Sequence, residues 1–138
     1  MLYSILIFGD EGQVAKWTPE EEKEVMDRHA KLYRELAAAG RLGPVMRLSP
    51  EGSKVVRRYK DRQQVTDGPY AETKEQLMGI YVLDCPSLAD AIAATEQLRF
   101  DTGSFEIRPL VSLGTGVLAA RMEGSAPGCR PEYFAPGG

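Results

Sequence analysis

The stretch Leu2-Tyr-Ser-Ile-Leu-Ile-Phe8, followed at once by Gly9-Asp-Glu-Gly12, decides the fold class of this chain. It is short, almost wholly apolar and rich in side chains that favour β-structure, which predicts a strand with apolar residues on both faces. The glycine-rich cluster after it predicts a turn. A second stretch of the same character, Leu77 to Leu83, predicts a second central strand. The segments around these two strands therefore determine how the sheet is covered.

A helix is predicted over residues 19–39. Thr18 can cap its first turn, Pro19 suits the first helical position, and Glu21 completes a Thr-x-x-Glu capping box. Gly40 provides a stop signal. The apolar residues between these signals recur at helical spacing, so one face of the helix should pack on the sheet.

Four further elements complete the pattern. They are a strand over residues 42–48, a hairpin formed by Lys54–Tyr59 and Gln63–Thr66, a helix that Ser87 caps, and a strand from Ser104 to Leu110. The resulting order, βαββ(β)αβ, is that of a ferredoxin-like α+β sheet, with two helices on one face if both crossovers are right-handed.

The length of 138 residues and the hydrophobic fraction of 43% predict one globular domain with a tail. We expect the α+β domain to span residues 1–110. We expect residues 111–138 to form a C-terminal extension, and because its end is rich in glycine and proline, that end should be flexible or lie over a partner.

Charge and composition exclude several classes of function. A formal net charge of −3 predicts no nucleic-acid partner, and no apolar run is long enough for a membrane helix. The N-terminus lacks a secretory pattern, and Cys85 and Cys129 lack metal-site spacing, so we expect a cytoplasmic protein without a metal. Gly114-Thr115-Gly116 lacks the third glycine of a dinucleotide loop, and no cofactor is predicted.

The two central strands also predict a homodimer. With both helices on one side, the other face of the sheet would expose leucine, isoleucine, tyrosine and valine side chains together. A patch of this size rarely stays in contact with water, and a second copy of the chain is the simplest cover. The C-terminal extension is the alternative cover.

Several motifs together resemble the DGPF subgroup of the YCII-related family, over about residues 1–110. They are Tyr3-x-x-Leu6-Ile7-x-Gly9-Asp10-Glu11, Glu35-Leu36-x-Ala38-Ala39-Gly40, Asp67-Gly68-Pro69-Tyr70-Ala71-Glu72-Thr73-Lys74-Glu75-Gln76-Leu77-x-Gly79 and Gly103-Ser104-Phe105-Glu106-Ile107-Arg108-Pro109. Tyr70 stands where phenylalanine is usual. The resemblance implies a dimeric α+β barrel. It also implies kinship with small-molecule enzymes, among them a dehydrochlorinase with a His–Asp pair, and a genomic link to extracytoplasmic-function sigma factors.

His29 is the sole histidine and the main catalytic candidate. On a helical wheel it lies within about 60° of Leu32 and within about 20° of Leu36, so the ring should face the sheet. A buried imidazole needs hydrogen-bond partners, and we expect Asp10, at the end of the first strand, to hold it as a general base. The alternative is a histidine with a purely structural role.

Asp67, Gly68, Pro69 and Tyr70 form a rigid loop that is predicted either to line a substrate pocket or only to turn the chain. Trp17 could cover the same pocket or the helix end. The basic residues of the hairpin indicate a solvated edge rather than an RNA site.

Two functions remain open. The first is a lyase, isomerase or dehydrochlorinase-like enzyme that uses His29 and Asp10 on a small molecule. The second is a non-catalytic dimeric module that binds a ligand or a sigma-factor-related partner.

Overall fold

The computed structural model describes residues 1–68 and 75–117. In this part of the chain the elements are β1 (Leu2–Gly9), α1 (Glu11–Val14), α2 (Pro19–Ala38), β2 (Leu42–Arg47), β3 (Lys54–Tyr59), β4 (Arg62–Asp67), β5 (Gln76–Asp84), α3 (Leu88–Leu98) and β6 (Ser104–Pro109). The predicted α+β class is confirmed. Each predicted helix and strand is present, with ends that differ by at most one residue.

The main sheet is antiparallel and has the strand order β2-β5-β1-β6. The two strands predicted to be central, β1 and β5, are its inner strands. Ile5 pairs with Tyr81 on one side and with Ile107 on the other. This order and the helical crossovers are those of a ferredoxin-like fold.

Both long helices cover one face of this sheet. Tyr3, Ile5 and Ile7 alternate along β1 with less buried residues, and they share one buried cluster with Leu32 of α2 and Leu98 of α3. Alternate side chains of a strand point to opposite faces, so the core lies between the helices and a single face. We call this face the helix face.

The other face, which we call the open face, also carries apolar side chains. The register places Met46, Ile80 and Leu6 in one row across β2, β5 and β1. Met46 is 43% exposed, and Leu6 and Ile80 are only half-buried. No helix among residues 1–68 and 75–117 packs on them, as the sequence argument expected for one copy of the chain.

Local signals in the sequence account for the helix ends. The Thr18 side chain accepts a hydrogen bond from the Glu21 amide, and the Ser87 side chain accepts one from the Asp90 amide. Gly40 follows α2 with φ +67°, a conformation that glycine adopts at little cost. No helix in the described ranges is both long and apolar enough to cross a bilayer.

The hairpin β3–β4 forms its own two-stranded sheet. Nearly all of its side chains are exposed on both faces, including Val56 at 58% and Tyr59 at 72%. Lys60 at the tip has φ 54°, which places the turn where the sequence predicted it.

Candidate functional site

His29 points from α2 towards the helix face of the sheet, as the sequence predicted. Its Nδ1 lies 2.8 Å from the hydroxyl oxygen of Tyr81 in β5, and the two rings are stacked with centroids 5.7 Å apart. Tyr81 is only 3% exposed and belongs to the buried core. The imidazole is therefore held at the boundary between the apolar core and a polar site.

The predicted hydrogen bond between His29 and Asp10 is not present, because each of the two side chains has another partner. The Asp10 carboxylate accepts hydrogen bonds from the Gly12 amide at 2.9 Å and the Gln13 amide at 3.3 Å. Asp10 thus caps the short helix α1, which forms where the sequence predicted only a turn. Because a carboxylate is a strong acceptor for the free amides of a first turn, the local cap satisfies Asp10.

Burial and nearby charge keep the His29 ring neutral. Burial is the first cause, and the positive charges of Arg28 and Arg47 add to it, so the pKa of His29 falls to about 4. Burial, followed by the influence of Tyr33, raises the pKa of Tyr81 well above its usual range. At neutral pH both members of the pair are therefore uncharged.

Arg47 forms the polar edge of this site. The register pairs Val45 with Tyr81 and Arg47 with Gly79, so Arg47 and Tyr81 lie on the same face of the sheet. The Arg47 guanidinium binds both carboxylate oxygens of Glu11, at 2.7 and 2.9 Å. It also donates to the carbonyl oxygens of Leu48 and Met78.

This arrangement allows the neutral imidazole of His29 to transfer a proton. If Nδ1 donates to the Tyr81 oxygen, Nε2 is left as a proton acceptor; if Tyr81 donates to Nδ1, Nε2 carries the hydrogen and is a donor. In either tautomer Tyr81 fixes the ring orientation. No group of three histidine, cysteine, aspartate or glutamate residues in the described ranges is placed to hold a metal ion.

The structure describes only the first two residues of the loop Asp67-Gly68-Pro69-Tyr70. Asp67 forms an ion pair with Lys54 across the hairpin, and the Gly68 amide donates to the Ser53 carbonyl at 2.9 Å. Both residues therefore stabilise the base of the β3–β4 hairpin. Pro69 and Tyr70 lie outside the described residues, and a substrate-binding role for the loop stays a prediction.

Trp17 packs against an aromatic cluster. Its ring lies edge-on to Phe100 with centroids 5.8 Å apart, and Phe100 in turn packs edge-on against Phe105. These contacts place Trp17 beside the segment that follows α3 and near the edge strand β6. Its predicted substrate contact also stays a prediction.

Tyr81, Arg47 and Glu11 were not identified as site residues from the sequence. Tyr81 lies in an apolar segment that predicts a buried strand, and Arg47 lies at the end of a short irregular strand. Only the strand order, which puts β2 beside β5, brings these side chains close to α2. A shallow depression of about 360 Å³ on β1 and β6, lined by Phe8, Glu75, Ser104, Phe105 and Glu106, was also missed.

Comparison with known proteins places this fold in a family. The model of the YCII-related domain matches residues 1–113. An uncharacterized protein of Rhizobium meliloti is 40% identical over 122 residues, which covers 86% of this chain and 98% of that protein. Since the domain match spans most of the chain, the protein belongs to the YCII-related family.

Proposed function

We propose that this protein is a small-molecule enzyme of the lyase or isomerase type, in which His29 moves a proton to or from the substrate. The observation that carries the proposal is the 2.8 Å contact between His29 Nδ1 and the Tyr81 hydroxyl. This contact fixes the orientation of the only imidazole of the chain through a neutral partner, as a catalytic base requires. Tyr81 takes the positioning role that the sequence had assigned to Asp10.

Because His29 and Tyr81 are both neutral, they limit which substrates can lose a proton at this site. A base with a pKa of about 4 is protonated only in acid, so the ring is neutral at neutral pH. In the tautomer whose Nδ1 donates to Tyr81, Nε2 is then free to accept a proton. Such a weak base suits a substrate whose departing proton is already acidic, and a dehydrochlorination next to an electron-withdrawing group is one example. Asp10 then supports the site by ordering α1.

The substrate would enter beside α1, where Arg47 is 48% exposed at the polar edge of the site. As part of the proposal, Trp17 and the loop Asp67-Gly68-Pro69-Tyr70 contribute to substrate binding. The resemblance of residues 67–79 to the DGPF subgroup supports a shared role for that loop.

A matched pair of variants tests the role of His29. In His29→Asn the side-chain amide reaches the position of Nδ1 and keeps the Tyr81 contact, but nothing replaces Nε2. In His29→Gln the amide reaches towards Nε2 instead. A metabolite panel screened by thermal shift would supply ligands, because a compound that binds the native state raises its melting temperature.

We expect both variants to lose turnover of a compound from this panel, while His29→Asn keeps the wild-type fold and binds the compound. A carboxamide is too weak a base to accept a proton near neutral pH, so the loss should be at least about 100-fold in kcat, in the range typical of general bases. Full turnover by His29→Asn would contradict the proposal.

A non-catalytic module is the second candidate function. The apolar row formed by Met46, Ile80 and Leu6 on the open face favours it, because such a surface suits a homodimer. In this form the protein would be a cytoplasmic dimer that binds a small molecule or a sigma-factor-related partner. Retention of a sigma or anti-sigma factor by the immobilised protein, without turnover of any panel compound, would favour this candidate.

A further inference from the structure

The Arg47–Glu11 ion pair has the geometry of a carboxylate-binding site that is occupied from within the chain. Both oxygens of Glu11 face the guanidinium, and the Leu48 and Met78 carbonyls accept from Nη1 at 2.6 and 3.1 Å. These carbonyls fix the orientation of the fork. A planar guanidinium held in this way recognises a carboxylate through two parallel hydrogen bonds.

Exposure of the two partners is unequal. The Glu11 side chain is 13% exposed, whereas the Arg47 side chain is 48% exposed. Glu11 reaches the fork from α1, a helix of only four residues that Asp10 caps. Because α1 contains no buried residue, Glu11 can move away without opening the core, and the exposed side of Arg47 gives a ligand access.

The charges around His29 also favour an anion. The positive charges of Arg28 and Arg47 both lower the pKa of His29, so both lie near the ring. Arg28 donates to the carbonyl oxygen of Arg99, a neutral group, and its buried Nε has no hydrogen-bond partner among the described residues. Once Glu11 moves away, the positive charge of Arg47 is unpaired in a partly desolvated site, and such a charge attracts a small anion more strongly than the same charge in water.

We propose that the site beside His29 takes a small organic carboxylate, and that Arg47 binds its carboxylate group in the position now held by Glu11. This inference rests on the proposed function for the identity of the site, and it names the class of substrate. When no ligand is bound, the Glu11 carboxylate holds this position. Arg47 is the residue that determines the specificity for a carboxylate.

The two partners of the ion pair provide the decisive test. If the pair is only structural, Glu11→Gln and Arg47→Met should both affect the protein in the same direction, by lowering stability. If Glu11 occupies a ligand site, Glu11→Gln should strengthen the binding of an external carboxylate, whereas Arg47→Met should weaken it.

The probe is benzoate, titrated at constant ionic strength and followed through the NMR signals of the His29 ring, with benzamide as its uncharged control. We expect benzoate, and not benzamide, to shift these signals. Glu11→Gln should tighten benzoate binding at least about threefold, and Arg47→Met should weaken it at least about tenfold, as expected for a charge-assisted hydrogen-bonded pair.

Arg47→Lys keeps the charge but lacks the fork, and we expect it to bind benzoate with intermediate affinity. If Arg47→Met fails to fold, the Lys and Gln variants decide the question. Equal binding of benzamide, weaker benzoate binding by Glu11→Gln, or no benzoate binding in the millimolar range would overturn the inference.

Failure of this inference can be told apart from failure of the proposed function. An uncharged substrate whose turnover depends on His29 would overturn the carboxylate assignment and leave the proton transfer intact. Benzoate binding that follows the predicted order, together with full turnover by His29→Asn, would overturn the proton transfer and leave the carboxylate assignment intact.

Discussion

At the scale of single residues, the site depends on which neighbour satisfies each polar group. His29 on α2 and Asp10 after β1 are both polar side chains, and each needs a partner. The first-turn amides of α1 are the nearest donors to Asp10, and the Tyr81 hydroxyl is the partner of His29. Local capping therefore separates two residues that a sequence argument had paired.

The lowered pKa of His29 predicts a pH dependence of stability. An unfolded chain binds a proton at His29 near pH 6.5, whereas the folded protein binds it only near pH 4. The unfolded state therefore holds more protons between these values, and stability falls as the pH falls. We expect a loss of up to about 3 kcal/mol in the free energy of unfolding through this window.

Urea unfolding at a series of pH values between 7 and 4 measures this loss, with His29→Asn as the control for all other titrating groups. The variant lacks the titrating ring, so its curve should be flatter than that of the wild type by the same amount. Parallel curves for the two proteins would contradict the prediction.

Asp10→Asn tests the corrected role of Asp10. The asparagine oxygen can still accept hydrogen bonds from the Gly12 and Gln13 amides, and asparagine is as good a cap as aspartate. We therefore expect little change in stability and no change in the NMR titration of His29. Asp10→Ala removes the cap and should cost about 1 kcal/mol. A large shift of the His29 pKa in Asp10→Asn would instead restore the predicted pair.

At the scale of secondary structure, the elements differ in how much they rely on the core. β1 and β5 lie between other strands and pack against both helices. The hairpin β3–β4 pairs only with itself, and its residues are largely exposed. An isolated two-stranded hairpin is marginally stable in water, so this element should open more easily than the main sheet.

Hydrogen exchange followed by NMR measures this difference. We expect the amides of Arg57 and Gln64 to exchange at least about 100-fold faster than those of Ile5 and Leu83, because their opening does not require exposure of the core. Equal protection of hairpin and central strands would show that something outside residues 1–68 and 75–117 covers the hairpin.

At the scale of the whole molecule, one face of the sheet is covered and the other is not. The helix face is buried under α2 and α3, whereas Met46 and Leu2 on the open face are 43% and 38% exposed. An apolar sheet face of this kind gains free energy when a second copy covers it, at roughly 25 cal/mol per Å² of apolar surface. The proposed homodimer follows from this imbalance.

Met46→Lys tests the dimer. Met46 is accessible in one copy of the chain, so a lysine there should leave the monomer folded while placing a charge in the proposed interface. We expect light scattering after size exclusion to show a dimer for the wild type and a monomer, or at least a roughly tenfold weaker dimer, for Met46→Lys.

The matched control is Leu88→Lys on α3, where Leu88 is 51% exposed outside the open face. It should leave the dimer unchanged. The C-terminal extension is the cover instead if the wild type is a monomer and a chain truncated after residue 117 forms a dimer.

The elements of this fold are largely determined by local sequence. Apolar runs define β1 and β5, Thr18 and Ser87 begin the helices, and Gly40 ends α2, because each signal acts within a few residues. The inward orientation of His29 follows from helical periodicity in the same way. Short α1 was missed, since its capping by Asp10 resembles turn chemistry until the backbone geometry is known.

The partners of the site are determined by the tertiary structure alone. Tyr81 lies 52 residues from His29 in the chain, and Glu11 lies 36 residues from Arg47. Nothing in the spacing of these residues predicts their contact, because the strand order β2-β5-β1-β6 is what brings β2 and β5 under α2. The sequence by itself thus determined the α+β elements and the direction of the imidazole. Long-range strand pairing decided which side chains hold it and which charges surround it.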